Sequence, residues 1–189
     1  DLFLVLMMRL LKQGGRAGLV LPDGTLFGEG VKTRIKETLL RDCNLHTIVR
    51  LPQSVFAPYA TISTNLLFFT KGKPTKEIWY YEHKLPEGVK SYNKTKPINF
   101  KEFQPIQDWW GSEEDGFKSS EETEYAWRVS LEEIISRNFN LDFRNPYVAE
   151  KISQDPNKLL AQYNEQQIQI SNLRSRVKSI LEKALSGED

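Results

Sequence analysis

The sequence predicts an α/β fold followed by a helical C-terminal arm. Over residues 1–82, short apolar runs with the composition of strands alternate with amphipathic stretches, which is the pattern of a sheet connected by helices. At 156–189, apolar residues recur at heptad spacing, which is typical of a coiled-coil-like helix. The segment between them, 83–155, is richer in Lys, Pro, Asn and Gly and is predicted to connect the two parts through short helices.

The first four elements alternate between helix and strand. A helix is predicted over 2–13, where apolar residues recur at helical spacing and two glycines then stop the pattern. The strand at 16–21, RAGLVL, is a continuous apolar run of the kind expected of a parallel strand covered on both faces. A helix at 31–42 and a strand at 46–51 follow, so the order predicts the crossover of a βαβ unit.

Two further strands are predicted from runs of β-branched and aromatic residues, TISTNLLFFT at 61–70 and EIWYY at 77–81. In the connecting segment, one short helix is expected near Trp109 and Trp110. Adjacent tryptophans more often pack in a core than form a binding platform. Core packing is therefore the interpretation that we adopt for this pair.

The helix after the connecting segment has a start signal of its own. Ser130 to Glu133, SLEE, fits a capping box, in which a serine oxygen and a glutamate carboxylate bond free amides at a helix start. This predicts a helix that ends near Asn138. Asn145-Pro146-Tyr147 follows and is interpreted as a turn.

Composition excludes several classes of function. The 26 basic and 25 acidic residues give a net charge of +1, so any contact with nucleic acid must come from a local patch. The only cysteine, Cys43, excludes an internal disulfide and a multi-cysteine metal cage. His46 and His83 have no second ligand at metal-binding spacing, so no metal site is predicted.

The start of the chain carries an apolar run that is too short to span a bilayer and lacks the features of a signal peptide, so no membrane association is predicted. The run begins at Asp1 in the middle of a helical pattern, without a capping residue. We therefore expect the chain to be an excerpt of a longer protein.

A glycine-rich stretch, LPDGTLFGEGVKTRIKE at 21–37, is similar to the P-loop of nucleotide-binding enzymes. A P-loop needs a lysine and a hydroxyl residue directly after its last glycine. Here Val31 separates Gly30 from Lys32, which turns the side chains by about 100° around the helix. We interpret the glycines as a sharp turn from a strand into a helix, at the edge where open α/β folds bind ligands. A nucleotide-hydrolysing domain would require Lys32 to act on phosphate.

Three longer phrases in order carry a family resemblance. They are LVLPDGTLFGEGVKTRIKETLLRDCNLHTIVRLPQSVFAPYATISTNLLFFTK, YNKTKPINFKEFQPIQDWW and WRVSLEEIISRNFNLDFRNP. Together they resemble the C-terminal part of type I restriction-modification DNA methyltransferase subunits, the N-6 adenine-specific class. The resemblance covers nearly all of the chain.

The resemblance implies the distal half of a Rossmann-like methyltransferase sheet, with RAGLVL as the fifth strand, HTIVRL as the sixth and TISTNLLFF as an antiparallel seventh strand between them. It implies a prokaryotic, cytoplasmic enzyme that transfers a methyl group from S-adenosylmethionine to adenine N6 in DNA. In that family, the loop that binds the cofactor and an Asn-Pro-Pro-Tyr/Phe tetrapeptide both precede the helix that opens this chain. We therefore expect this fragment to be inactive by itself, with no catalytic residue of its own.

The resemblance also implies which residues meet the target base. Such enzymes flip the adenine out of the duplex and sandwich it between aromatic faces. The matching residue here is Phe56, with Tyr59 as the next candidate; the alternative is a loop aromatic that covers the core. Asp23 and Gly24 form a possible substrate-side loop, although an Asp-Gly pair is also a common turn. Asn145-Pro146-Tyr147 lacks the second proline of the catalytic tetrapeptide.

The resemblance implies two protein partners in a type I complex, a specificity subunit and a restriction subunit. In that family the C-terminal helices pair with the specificity subunit, which reads the DNA sequence. A lone amphipathic helix needs a partner to cover its apolar face, which supports docking on the specificity subunit independently. Gln166 is a polar break in the heptads. The residues predicted to dock are Leu159, Tyr163, Ile170, Leu173, Val177 and Ile180. The alternative function is a non-catalytic assembly module that only docks the specificity subunit.

Lys71, Lys73 and Lys76 are candidates for phosphate contact or for a solvated strand edge.

Overall fold

A computed structural model describes residues 2–111, 120–148 and 156–186. In the last of these ranges it describes the side chains of residue 160 and of residues 163–178. The chain divides into two compact units, Asp1–Val148 and Ala149–Asp189, and each is described here by itself. No helix among the described residues is long and apolar enough to cross a membrane.

The first unit contains all the strands that the structure describes. Its helices are α1 (Leu2–Leu10), α2 (Asp23–Leu26), α3 (Val31–Asp42), a 3₁₀ helix (Phe100–Phe103), α4 (Gln104–Trp110) and α5 (Leu131–Ser136). Its strands are β1 (Arg16–Pro22), β2 (Cys43–Arg50), β3 (Thr64–Lys71), β4 (Glu77–Glu82) and β5 (Ala126–Ser130). The four strands and the two long helices of the first 82 residues were predicted, with shifts of up to three residues at their ends.

The five strands form one sheet in the order β1-β3-β2-β4-β5. β3 pairs antiparallel with both β1 and β2, β4 pairs parallel with β2, and β5 pairs antiparallel with β4. The prediction of an antiparallel strand between the fifth and sixth strands is confirmed. β1, β2 and β4 therefore run in one direction, and their carboxyl ends meet at one edge of the sheet, which we call the carboxyl edge. The opposite edge is the amino edge.

Two hydrophobic clusters cover the two faces of the sheet. The larger one packs α1, α3 and α5 against buried strand residues such as Ile48, Phe69 and Tyr80. The smaller one packs α4 against Val49, Tyr81 and their neighbours. Because side chains alternate along a strand, consecutive residues such as Tyr80 and Tyr81 belong to different clusters.

The tryptophan pair of α4 packs on the sheet, as predicted. The ring of Trp109 lies 5.2 Å from that of Tyr81 and 5.7 Å from that of Trp79, and the ring of Trp110 lies 4.5 Å from that of Phe68. These edge-on and tilted contacts are typical of aromatic core packing.

Some sequence-based expectations need correction. β1 is not covered on both faces, since Val20 is 51% exposed among the described residues. Burial alternates along β1: Ala17, Leu19 and Leu21 pack against the larger hydrophobic cluster, and the opposite face, with Val20, is exposed. The strand β5 was missed because AWRVS is short and its last residue, Ser130, is also the capping serine of α5. Ser130 does cap α5, where its Oγ accepts a hydrogen bond from Glu133 N.

α5 ends at Ser136, earlier than predicted. Asn138 and Phe139 adopt left-handed backbone conformations, with φ of 53° and 58°, which ends the helix before them. At α5 only the serine half of the predicted capping box is recorded, the bond from Glu133 N to Ser130 Oγ. A complete capping box occurs at Asn99 and Glu102, at the start of the 3₁₀ helix, and that pair was not predicted from the sequence.

The second unit contains α6 (Pro156–Ser186), so the predicted long helix is confirmed. Its apolar side chains within the described set are exposed, including Tyr163, Ile170, Leu173 and Val177 at 41% to 59%. The side chains of Leu159 and Ile180 lie outside the described ones.

Candidate functional site

The candidate site lies at the carboxyl edge of the sheet. β1, β2 and β4 end there at Pro22, Arg50 and Glu82, and β3 begins there at Thr64. In open α/β sheets, ligands bind outside the carboxyl ends of the parallel strands, because loops and helix starts converge there around polar backbone groups. The described strand ends bring several charged and amide side chains together at this edge.

Asp23 and Asn65 form one polar contact of this site. Asp23 directly follows β1, and its Oδ1 accepts a hydrogen bond of 2.6 Å from Asn65 Nδ2 on β3. The backbone supports the same contact, since Asp23 N donates to Ser63 O. Asp23 therefore has a fixed position at the edge while its side chain stays 25% exposed.

Arg50 joins Asp23 to a distant loop. Its guanidinium lies 2.8 Å from Asp142 Oδ1 and 3.9 Å from Asp23 Oδ1, and it donates a 2.6 Å hydrogen bond to Phe143 O. The contact with Asp142 is a close ion pair but not an aligned hydrogen bond, because that oxygen has no hydrogen-bond partner within the described residues. One cation thus holds two carboxylates at the same edge.

Two further buried polar atoms at this edge have no hydrogen-bond partner among the described residues. They are Thr64 Oγ1 and Asn65 Oδ1, and Asn65 is fully buried. A buried polar atom without a hydrogen bond costs roughly 1–3 kcal/mol, so such atoms usually bind water or a ligand. Both atoms lie beside Asp23 and are closed to bulk solvent, so an ordered water is the partner expected for them.

The segment 52–63 leaves β2 at this edge and carries both predicted stacking residues. Phe56 is 42% exposed and Tyr59 is 86% exposed. Consecutive turns order the segment, with Ala57 N donating to Ser54 O and both Tyr59 N and Ala60 N donating to Phe56 O. The aromatic rings therefore project from an ordered loop, and Phe56 leaves a large part of its surface free to contact a partner.

A buried polar network around Tyr92 holds this loop in place through Ser54. Tyr92 N donates a 2.8 Å hydrogen bond to Ser54 Oγ, and the Tyr92 hydroxyl contacts His83 Nε2 and a Glu102 carboxylate oxygen. Burial and the hydrogen bond to Glu102 raise the pKa of Tyr92 far above its usual range, and burial lowers the pKa of His83. Both side chains are therefore neutral at pH 7 and act as fixed hydrogen-bonding groups.

The glycine-rich loop binds lysines rather than presenting amides to phosphate. Lys32 Nζ donates to Gly24 O, and Lys36 Nζ donates to Leu26 O and Gly28 O, at 2.6–2.9 Å. Lys36 is 2% exposed, and burial, followed by repulsion from Lys32, lowers its pKa. A Cβ at Gly28 would lie 2.7 Å from Gly24 O, so glycine is required for the loop to close around these lysines. Lys32 therefore fixes the loop that follows Asp23.

The Asn145 side chain also forms hydrogen bonds within the protein at this edge. Its Nδ2 donates to Glu82 Oε2 and Glu124 O, and its Oδ1 accepts from Tyr147 N, all at 2.8–2.9 Å. The last bond is the side-chain turn expected of asparagine before proline. The interpretation of Asn145-Pro146-Tyr147 as a turn is confirmed.

The amino edge has a different character. Lys71 Nζ donates to Met8 O and Leu11 O at the end of α1, and Thr75 Oγ1 bridges Leu45 N and Cys43 O. Burial raises the pKa of the Cys43 thiol, which makes it unreactive at neutral pH. A groove between α1 and α3 near Cys43 has a mainly apolar lining, and we assign no chemistry to it. No group of three or more metal-ligating side chains occurs among the described residues.

Part of the carboxyl-edge cluster was predicted from the sequence. Asp23 and the loop that carries Phe56 were singled out, and the structure places both at the same edge. Arg50, Asn65 and Asp142 were not predicted. The signal that could have found Arg50 and Asn65 is their position at the end of one predicted strand and near the start of the next.

The comparisons with known proteins agree with this architecture. Residues 2–155 match the family described as N-6 DNA Methylase. The chain is 61% identical over 187 residues to the type I restriction enzyme EcoEI methylase subunit of Escherichia coli, covering 99% of this chain and 38% of that protein. It is 36% identical over 148 residues to the EcoKI methylase subunit of Escherichia coli strain K12, covering 73% of this chain and 27% of that protein.

Solved structures give the same result. A chain from a type I R-M system superposes with a TM-score of 0.73 at 36% identity and covers 100% of this chain and 39% of its own length. The M protein of the type I restriction enzyme EcoKI gives a TM-score of 0.65 at 26% identity, covering 95% of this chain and 44% of its own. This chain spans less than half the length of these relatives. It belongs to the N-6 DNA methylase family.

Proposed function

We propose that this chain is the C-terminal part of a DNA adenine N6-methyltransferase subunit of a type I restriction-modification system. The whole subunit would transfer a methyl group from S-adenosylmethionine to adenine in DNA, in the cytoplasm, together with a specificity subunit and a restriction subunit. The part described here would supply the face that receives the target base. The family match over residues 2–155 supports the reaction class.

The observation that carries the proposal is the exposure of Phe56 at the carboxyl edge. A core aromatic would be buried, whereas Phe56 is 42% exposed on a loop that hydrogen bonds order. A base that leaves the duplex loses its stacking neighbours, and an aromatic face replaces part of that interaction. Tyr59 is more exposed still and is a second stacking candidate, and Asp23 and Gly24 would border the substrate from β1.

The test uses the full-length product of the gene that contains this chain, with the subunits that co-purify with it. Phe56→Ala should reduce methyl transfer to adenine by the equivalent of about 1–3 kcal/mol, which is the scale for one stacked base. The melting temperature and the affinity for S-adenosylmethionine should stay nearly unchanged, because Phe56 lies on a surface loop, is 42% exposed and is not part of either hydrophobic cluster.

Two controls make this test decisive. Phe56→Trp keeps an aromatic face and should retain most of the activity. The 189-residue chain alone should bind S-adenosylmethionine poorly and transfer no methyl group, because the cofactor loop expected for the family is not among its motifs. Micromolar cofactor affinity of the chain, or an unfolded Phe56→Ala protein with normal activity per folded molecule, would contradict the proposal.

A second candidate function is docking of the specificity subunit through α6. The helix carries Tyr163, Ile170, Leu173 and Val177 at heptad positions, and each of these side chains is at least 41% exposed. Leu159 and Ile180 would extend the same stripe. An apolar stripe of this kind becomes stable when a partner helix covers it.

Co-purification distinguishes docking from a role within the unit itself. Replacing Ile170 and Val177 together by Asp should abolish capture of the specificity subunit and leave the melting temperature of the α/β unit unchanged. Asn172→Asp with Ser175→Asp adds the same charge at other heptad positions and should leave capture intact. If the α/β unit unfolds with the first pair, α6 packs on its own chain and the docking surface lies elsewhere.

A further inference from the structure

We propose that residues 84–101, called here the lysine loop, contact the phosphate backbone of DNA beside the loop that carries Phe56. This inference rests on the proposed function, which supplies DNA as the substrate. The lysine loop contains one acidic residue, Glu87, in a chain whose net charge is only +1. Its five lysines, all exposed, are Lys84, Lys90, Lys94, Lys96 and Lys101. Five lysines against one glutamate give the lysine loop itself a net charge of +4 although the whole chain is nearly neutral.

The lysine loop starts at the carboxyl edge, directly after β4, and is fixed there. His83 N donates to Arg50 O, and the Lys84 ammonium lies 4.4 Å from the centre of the Tyr125 ring. The central anchor is Tyr92, which is 3% exposed and whose amide donates to Ser54 Oγ. Ser54 lies two residues before Phe56 on the loop that carries Phe56. The lysines on either side of Tyr92 are thereby held next to that loop.

The tip of the lysine loop is also ordered. Asn93 and Lys96 exchange backbone hydrogen bonds of 3.1 Å, and Asn93 Oδ1 accepts from the amides of Thr95 and Lys96. This tight turn places Lys94 and Lys96 at an exposed tip. Within the described ranges, no hydrogen bond or ion pair engages the ammonium groups of Lys90, Lys94 or Lys96. An ordered backbone with free ammonium groups can bind anions without first ordering the chain.

The partner that fits this surface is a duplex backbone. A base that stacks on Phe56 remains attached to two flanking phosphates, and the strand continues past the loop that holds it. Lysine is a point charge on a flexible stem, which suits contact with phosphates rather than the reading of base edges. The lysine loop would therefore position DNA without selecting its sequence.

Three other lysines provide an internal comparison. Lys71, Lys73 and Lys76 were also candidates for phosphate contact from the sequence, and the structure places them at the amino edge, away from Phe56. Lys71 already donates two hydrogen bonds to the end of α1. Lys73 and Lys76 are exposed on the β3–β4 loop. They match Lys94 and Lys96 in charge and exposure and differ in their position.

The experiment measures DNA binding by fluorescence anisotropy with a duplex of random sequence at several salt concentrations. It uses the full-length gene product with its co-purifying subunits. Lys94→Ala with Lys96→Ala should weaken binding about tenfold or more at roughly 0.1 M salt and lower the slope of log affinity against log salt by about 2. Lys73→Ala with Lys76→Ala makes the same change in net charge and should leave both quantities near those of the unaltered protein. Melting temperatures should be equal for all three proteins.

The possible results separate this inference from the proposed function. If the Lys94 and Lys96 variant keeps its DNA affinity and salt slope, or if both variants lose affinity equally, the inference is overturned. Loss of a co-purifying subunit in place of DNA affinity would overturn it as well, in favour of an acidic protein partner. A protein that methylates DNA but does not respond to these lysines contradicts only the inference. A protein whose DNA binding depends on them but which transfers no methyl group contradicts only the proposed function.

Discussion

The two edges of the sheet use their polar residues in different ways. At the amino edge, side chains bond the backbone: Thr75 bridges two strand residues, and Lys71 caps the end of α1. At the carboxyl edge, side chains also contact one another, as in the Asp23–Asn65 hydrogen bond and the Arg50–Asp142 ion pair, and the aromatic side chains of Phe56 and Tyr59 are exposed beside them. The first arrangement stabilises a fold, whereas the second leaves exposed groups available for a ligand.

The difference has a direct consequence for substitutions. Removal of a side chain that bonds buried backbone leaves that backbone without a partner, which lowers stability. Removal of a group that faces an open site changes binding and leaves the core intact. Changes at the amino edge should therefore lower stability with normal activity per folded molecule, and changes at the carboxyl edge should do the reverse.

The largest effect on stability is expected for Thr75→Val. Thr75 is 1% exposed, and its hydroxyl accepts from Leu45 N and donates to Cys43 O. Valine has nearly the same shape but leaves both backbone groups unpaired, which should lower the free energy of unfolding by about 2–5 kcal/mol. Denaturant unfolding of the full-length gene product measures this. Thr75→Ser keeps the hydroxyl and should lose much less, and equal losses in the two variants would show that the hydroxyl is not responsible.

A smaller effect is expected from acid, through His46 on β2. Burial lowers the pKa of His46 to about 4, from an ordinary value of 6.5. Between these two values the unfolded chain binds the proton and the folded one does not, so stability falls as the pH falls from 6.5 to 4. The contribution of His46 should be about 1–3 kcal/mol. Comparison of unfolding free energies at pH 7 and pH 4.5 in the unaltered protein and in His46→Gln measures it. Identical pH dependence in the two proteins would exclude His46 as the source.

The smallest effect on stability is expected for Asp23→Asn at the carboxyl edge. The amide keeps an oxygen that accepts from Asn65 Nδ2 and removes only the charge that lies 3.9 Å from Arg50 Nη2. For a partly exposed pair, this should cost about 0.5–1 kcal/mol of stability. Methyl transfer should fall roughly tenfold, or about 1.4 kcal/mol, if the carboxylate orients the substrate.

Asp42→Asn is the matched control for that change. Asp42 lies at the amino edge, where its exposed carboxylate pairs with the neighbouring Arg41. The variant should leave methyl transfer unchanged. A loss of activity in Asp42→Asn, or none in Asp23→Asn, would break the division of roles between the two edges.

Much of the fold could be predicted because it depends on local patterns. Apolar runs predicted the four strands of the first 82 residues, and helical spacing predicted α1, α3 and α6. The missed strand β5 shows the limit of this approach. AWRVS has only five residues, and its identity as a strand comes from pairing with β4. Pairing with a strand that is distant in sequence cannot be predicted from the composition of such a short segment.

Residues of the candidate site could be predicted only where the residue type and its position in a strand or loop together indicated a function. Phe56 and Asp23 met that condition. Tyr92 did not, because its role depends on Ser54, which lies 38 residues earlier in the chain. The sequence likewise showed that Lys32 is misplaced for a P-loop, but not that its ammonium bonds Gly24 O.

The sequence by itself therefore determined the α/β class, the long C-terminal helix and the family to which the chain is similar. The first two follow from the spacing of apolar residues, and the third follows from continuous sequence segments. The tertiary structure alone decided which polar side chains meet. Arg50 reaches Phe143, 93 residues away, because the strand order brings the end of β2 beside the loop after α5. Contacts of this range depend on how the sheet is assembled, and hydrophobic periodicity specifies which face of a strand is buried without specifying its neighbour.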